Sequence, residues 1–348
     1  MGKYEDTINT VKELLGKNQE WESRYTGYID TISSNSEIIN ARKKFNVPSQ
    51  FTLHMSVSKA TEVTKNVVKF DLRYHGHNIG CLKINKETVE LTPVKNKDII
   101  SAINKAGIDY KDELNETINW NEASEFRKIY AKLEENIQNN NAKLTKNKEH
   151  ELESKLLKNF SKKSSDGKFI CYIQPVTMLK ESLFFQMPTP LKASDAKSGN
   201  IDYSAENGGG IDILARIGRG NNTHLAIIEL KDKYEKNEPP EKAICQAIAY
   251  ATFIHKLLRS TSGKKWWRFF GFGGEDLPKS LKLFAIIAMP NSKIANKNFV
   301  YTCNQNAINL SLDGEDKLEL GYIYLENEGS PQEISKNLPL KSNIKSNI

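Results

Sequence analysis

Gly208-Gly209-Gly210-Ile211-Asp212-Ile213-Leu214-Ala215-Arg216-Ile217, then Gly218-Arg219-Gly220-Asn221-Asn222, then Leu225-Ala226-Ile227-Ile228-Glu229-Leu230-Lys231 is the stretch whose reading decides the fold. Two apolar runs on either side of a Gly/Asn turn are written as a β-hairpin. With a side-chain period of two, Asp212, Leu214 and Arg216 face one side of the first strand, and Ile211, Ile213, Ala215 and Ile217 face the other. Glu229 and Lys231 share a face of the second. A turn centred near residue 220 brings Asp212 opposite about Ile228, so the two carboxylates become neighbours.

Charges at the ends of otherwise apolar strands are costly unless something cationic compensates them. A Mg²⁺ ion, with Mn²⁺ as a substitute, meets that need because it keeps several waters and uses few protein ligands. Lys231 beside it can stabilise negative charge building on a phosphate, which points to hydrolysis of a phosphodiester. A carboxylate-x-Lys triplet has little value alone, since Asp109-Tyr110-Lys111, Glu153-Ser154-Lys155 and Asp166-Gly167-Lys168 also occur. Only Glu229-Leu230-Lys231 ends an apolar strand that follows a Gly-preceded Asp.

These residues resemble the PD-(D/E)xK nuclease superfamily, with Ile211 where the family's name has proline. The resemblance implies a restriction-endonuclease-like α/β core, a central mixed sheet flanked by helices, running helix, strand, strand, strand, helix, strand between about Glu149 and Met289. It implies Asp212 and Glu229 as metal ligands and Lys231 as the catalytic lysine. Gln246-Ala247-Ile248-Ala249-Tyr250 is similar to the Gln-x-x-x-Tyr element of the exonuclease-type branch, its two polar side chains on one helix face. A further acid on the first helix is implied in Glu149-His150-Glu151-Leu152, with Glu149 preferred and Glu153 second.

Nucleic-acid contacts are sought in Lys264-Lys265-Trp266-Trp267-Arg268-Phe269-Phe270, where basic and aromatic residues interleave. Trp266, Phe269 and Phe270 are expected to pack under the sheet, leaving Lys264, Lys265 and Arg268 for the backbone. Tyr250 joins them as a contact, and Arg216 and Arg219 touch phosphate or serve as solubilising charge.

Upstream, Ile8, Val11, Leu14 and Leu15 predict a helix over residues 4–16, with a second helix ending before Pro48. Alternation from Phe51 to Thr92, broken at His75-Gly76 and Asn85-Lys86, predicts an antiparallel meander. His75 and His77 read as exposed turn residues. Helices follow over 99–106 and 120–137, and the polar run Gln138–Lys148 separates an α+β N-terminal domain (1–145) from the nuclease domain (146–329). Beyond Pro188 and Pro190 and the central stretch, Leu281–Met289 reads as a buried strand, and Asp313-Gly314 turns a hairpin. The tail 330–348 is polar and low in complexity, with mobility expected.

Fifty Lys+Arg against 43 Asp+Glu give a net charge of +7, which admits a polyanionic partner without requiring one. Four scattered cysteines show neither a disulfide framework nor zinc-like spacing. With no apolar signal core at the N-terminus and Asp6 where a myristoylation motif wants Ser or Thr, a cytoplasmic protein without a membrane partner is expected. The expected substrate is DNA ahead of RNA, in restriction, phage defence or repair. A homodimer or a partner protein of a defence system is expected by analogy. The competing class is a nucleic-acid-binding or assembly module that keeps the fold without the chemistry; a two-carboxylate glycosidase has no use for Lys231.

Overall fold

The computed structural model describes residues 2–35, 51–55, 67–110, 116–139, 141, 144, 148–160, 172–178, 183–205, 208–231, 239–274, 276–290, 297–325 and 331–340. Two helices open the chain, α1 (Gly2–Lys17) and α2 (Glu20–Ser33); α1 buries Thr7, Ile8, Val11 and Leu15, the stripe its spacing predicts. Strands β1 (Phe51–Met55), β2 (Val68–Tyr74), β3 (His77–Ile84) and β4 (Val89–Pro93) form the antiparallel meander. In β2, buried Val68, Phe70, Leu72 and Tyr74 alternate with half-buried Lys69, Asp71 and Arg73. Helix α3 (Lys97–Lys105) starts where the Asn96 side chain accepts from the Asp98 and Ile99 backbone N–H groups. The short β5 (Ile118–Asn119) joins β4, and α4 (Ser124–Gln138) lays Phe126 and Tyr130 against Phe51.

The second sheet follows helix α5 (Lys148–Phe160) and strand β6 (Ile173–Pro175). Between them and the central hairpin lie β7 (Thr177–Met178), β8 (Leu183–Gln186) and a small ribbon of β9 (Leu191–Lys192) and β10 (Asp202–Tyr203). The hairpin is β11 (Ile213–Arg219) and β12 (Asn222–Leu230), followed by α6 (Pro240–Arg259), α7 (Gly263–Phe269) and β13 (Lys282–Pro290). Helix α8 (Lys297–Gln305) and strands β14 (Ile308–Ser311), β15 (Lys317–Leu325) and β16 (Pro331–Ile334) complete the order. The sheet runs β14-β15-β13-β12-β11-β6, with β16 beside β15. It is mixed: β11 is antiparallel to both neighbours, while β12, β13 and β15 are parallel.

Strand parity sorts the two faces. Leu214, Leu225, Ile227 and Ile287 share a core with Ile244 and Ile248 of α6, whereas Ile213, Ala215, Ile217, Ala226 and Ile228 share one with Leu156, Leu157 and Phe160 of α5. Helices therefore cover both faces of a mixed sheet, an α/β arrangement. Asp316 ties the far end together: it accepts from His255 Nε2 (2.8 Å), Arg259 and the Leu281 backbone N–H, and these bonds outweigh burial to bring its carboxyl down to about 2.

Three expectations need correction. Packing does not divide at residue 145: β8 pairs in parallel with β1 and becomes part of the first sheet, while Trp21 and Tyr25 of α2 meet Phe253 of α6 edge-on. Apolar faces on either side of the polar run 138–148 need each other as cover, and a composition shift does not reveal that. The tail is built in at its start, since β16 pairs with β15 and Leu338 is buried against Gly321; residues 341–348 lie outside the described set. His75 is no free turn residue: its Nε2 lies 2.7 Å from Glu134 Oε2, on a buried carboxylate that also receives Tyr74, Gln138 and Lys158. Among the described residues no helix is long and apolar enough to cross a membrane.

Candidate active site

The hairpin register runs from Ile213 opposite Ile228 to Arg219 opposite Asn222, one residue off the expected alignment, so continuing it sets Asp212 against Glu229. The ladder stops at Ile213, and the Asp212 side chain takes the next rung by accepting the Leu230 backbone N–H at 2.8 Å. Asp212 and Glu229 stand close enough for each to perturb the other's ionisation. Lys231 continues β12 toward β13 through its backbone N–H to Ala288, and its Nζ lies 3.5 Å from Glu229 Oε1. The same Nζ donates to Gln246 Oε1 at 3.1 Å, and Gln246 Nε2 donates to the Tyr250 hydroxyl at 3.4 Å. Helix α6 supplies both residues from one face, four positions apart, and begins with Pro240 and an acidic Glu241 in its first turn.

Burial sets the electrostatics. Glu229 is buried, and its Oε2 has no hydrogen-bond partner. Burial and then the neighbouring Asp212 raise its carboxyl well above the usual range. Asp212 is pushed up to about 7, first by burial and then by the charge of Glu153, despite the opposing effects of the Leu230 N–H and Lys231. Two buried carboxyls this close disfavour being ionised together unless a cation compensates them. Among the described residues no three His, Cys, Asp or Glu side chains gather as a ligand group. The donor set is a carboxylate pair with one orphaned oxygen, which fits a hard divalent ion that keeps most of its waters.

Among the sequence candidates, Asp212, Glu229, Lys231 and Gln246 come together. The side chain of Glu149 lies outside the described residues; on the same helix Glu153 is buried and close enough for its charge to raise Asp212. Tyr250 is not exposed for a nucleic-acid contact: it is buried, and its hydroxyl is walled in by Gly209. Arg216 donates to the Gly271 carbonyl after α7, and Arg219 lies over the Tyr172 ring, 4.6 Å from its centroid. Lys264 and Lys265 are paired with Asp276 (2.9 Å) and Asp30 (2.5 Å), and Arg268 is exposed. Trp266, Phe269 and Phe270 are buried in the core, as expected.

Sequence reasoning passed over Gln186, at the end of β8, which is buried beside Gly210. The available signal was a polar residue closing the apolar run Leu183-Phe184-Phe185; the surrounding prolines made the segment read as a loop. In comparisons with protein-family models, with curated proteins and with solved structures, nothing matches the chain.

Proposed function

We propose that this chain is a divalent-metal-dependent nuclease on a restriction-endonuclease-like core, acting on DNA in restriction, phage defence or repair. The observation that carries the reading is the convergence of Asp212, Glu229 and Lys231, with Lys231 held by Gln246 from the helix that follows. The element order α5, β6, β11, β12, α6, β13 is compatible with the core named by the sequence resemblance, with β7 to β10 inserted after its first strand.

Asp212 and Glu229 would hold Mg²⁺ or Mn²⁺, which when bound supplies Lewis-acid stabilisation of phosphate charge and acidifies water. The protein's own part is positional and electrostatic. Gln246 gives its acceptor to Lys231 and so fixes the ammonium beside Glu229, where it can meet negative charge developing on a phosphate oxygen. The Leu230 N–H anchors one oxygen of Asp212 and fixes the orientation of the carboxylate. Tyr250 acts one step further away by orienting the Gln246 amide, so it is a positioning residue. A homodimer, or a partner protein from a defence system, would bring the second centre needed to cut both strands.

Purified protein incubated with plasmid, linear duplex, single-stranded DNA and RNA should cleave with Mg²⁺ or Mn²⁺ and stop with EDTA. Lys231→Ala should lower kcat by roughly a hundredfold or more with an unchanged circular dichroism spectrum, on the scale of losing a charge-stabilising donor. Gln246→Ala should cost less, and Tyr250→Phe only a few-fold at most, since it removes one long hydrogen bond. Full activity in Lys231→Ala, or no metal-dependent cleavage of any substrate by the wild type, would sink the assignment.

A further inference from the structure

Gln186 ends β8 in the row that runs from Asp71 through His54 to Gln186 across the first sheet. Beyond β8 the chain passes alongside the central stretch: Pro188 bridges Gly210, and Ile211 donates its N–H to the Met187 carbonyl at 2.9 Å. The Gln186 side chain consequently leans over Gly210, two residues before Asp212; a Cβ built on Gly210 would lie 3.5 Å from Gln186 Nε2. Gly210 is exposed two residues before Asp212, so its bare backbone is a floor open to solvent there. Gln186 is the wall of that floor. It is only 8 % exposed, and its Oε1 is buried with no hydrogen-bond partner.

An unsatisfied buried acceptor is costly to keep and calls for an explanation. An amide carries one acceptor and two donors, and its last torsion is soft and roughly two-fold, so rotation exchanges the ends and can turn the oxygen toward the floor. A phosphate brings acceptors only and would leave Oε1 orphaned. A group that brings its own N–H or O–H satisfies it. We propose that Gln186 and the Gly210 floor form a substrate subsite, supplied partly by the N-terminal sheet, that hydrogen-bonds an N–H or O–H donor of the nucleoside beside the scissile phosphate. This rests on the nuclease assignment and adds to it a residue that determines specificity. Sites built to bond a polar substrate group reject analogues lacking it.

The test is steady-state cleavage of short oligonucleotides by the full chain, wild type against Gln186→Leu and Gly210→Val. The two substitutions reach the subsite independently: one removes the amide, the other fills the floor, where the backbone is not in the left-handed region and an added Cβ meets only Gln186. Each should raise KM by about tenfold with kcat nearly unchanged, the signature of lost binding felt equally in ground and transition states. An abasic replacement beside the cut removes the base donor of a DNA substrate; it should raise KM for the wild type and add nothing in Gln186→Leu. Cleavage by the wild type with unchanged KM in both variants overturns the subsite alone; no cleavage by the wild type overturns the nuclease assignment and the subsite with it.

Discussion

Asp212 is a carboxyl that the fold holds at its own expense. Burial, then the charge of Glu153, pushes it up to about 7 from an ordinary 3.8. Below about pH 4 it is protonated whether the chain is folded or not. As pH rises toward 7 the unfolded chain gives up the proton while the folded chain keeps it, so stability falls across that window and the loss is complete above it. Asp212→Asn removes the titration yet keeps an oxygen for the Leu230 N–H. In metal-free solution the variant should therefore melt a few degrees above the wild type at pH 8 and level with it near pH 4, at roughly 2–4 °C per kcal/mol. On the proposed metal site, adding Mg²⁺ should raise the wild-type Tm and leave the variant's little changed, because the variant lacks one of the two carboxylates assigned to the ion. A variant no more stable than the wild type at pH 8 would contradict this account of the site.

At the scale of elements, the three glycines before Asp212 divide by what approaches them. The segment 188–205 folds over α6, with Leu191, Ala193 and Ala196 in the same core. It is pinned by Tyr25, whose hydroxyl donates to the Pro188 carbonyl at 2.8 Å, and by Arg24 on the Ala205 carbonyl. A Cβ on Gly208 would stand 1.7 Å from the Thr189 carbonyl oxygen, and one on Gly209 would stand 2.0 Å from the Tyr250 hydroxyl, whereas one on Gly210 meets only ordinary contacts. Gly208→Ala and Gly209→Ala should each cost about 1–3 kcal/mol, the usual range for overpacking, and Gly210→Ala close to nothing. Urea denaturation of the three variants measures this, and equal midpoints would contradict the packing described. The division was not legible from the sequence. Parity along 211–217 and 225–231 placed Asp212, Glu229 and Lys231 together because strand period and turn position are local. Gly208 and Gly209 are met by Thr189 and Leu191, from an upstream segment that reads as a proline-bearing loop, and Gly209 also by Tyr250 of the later helix α6. Glu153 was legible only as a second choice, since helical spacing puts two acids on one edge without saying which one lies close to Asp212.

For the whole molecule, the meander and the central hairpin are joined by shared strand pairing and aromatic packing. The first sheet continues from β1 into β8, with Thr52, Leu53 and His54 registered on Phe184, Phe185 and Gln186. Phe70 of β2 meets Phe185 of β8, which in turn meets Phe269 of α7 edge-on. On the other side of α6, the α2 rings of Trp21 and Tyr25 cover Phe253. Cutting at residue 145 would expose these apolar surfaces and leave β8 paired only with the two-residue β7. A fragment of residues 146–348 should therefore show no cooperative thermal transition and bind a dye for exposed apolar surface, while the full chain melts in one step. Co-expressing residues 1–145 with it should restore both the transition and any cleavage, because the two pieces meet through extended strand pairing and aromatic packing that need no covalent link. A fragment that melts cooperatively by itself and cleaves as the full chain does would show that the N-terminal layer is an appendage, and would remove Gln186 from the part of the site that the first sheet holds in place.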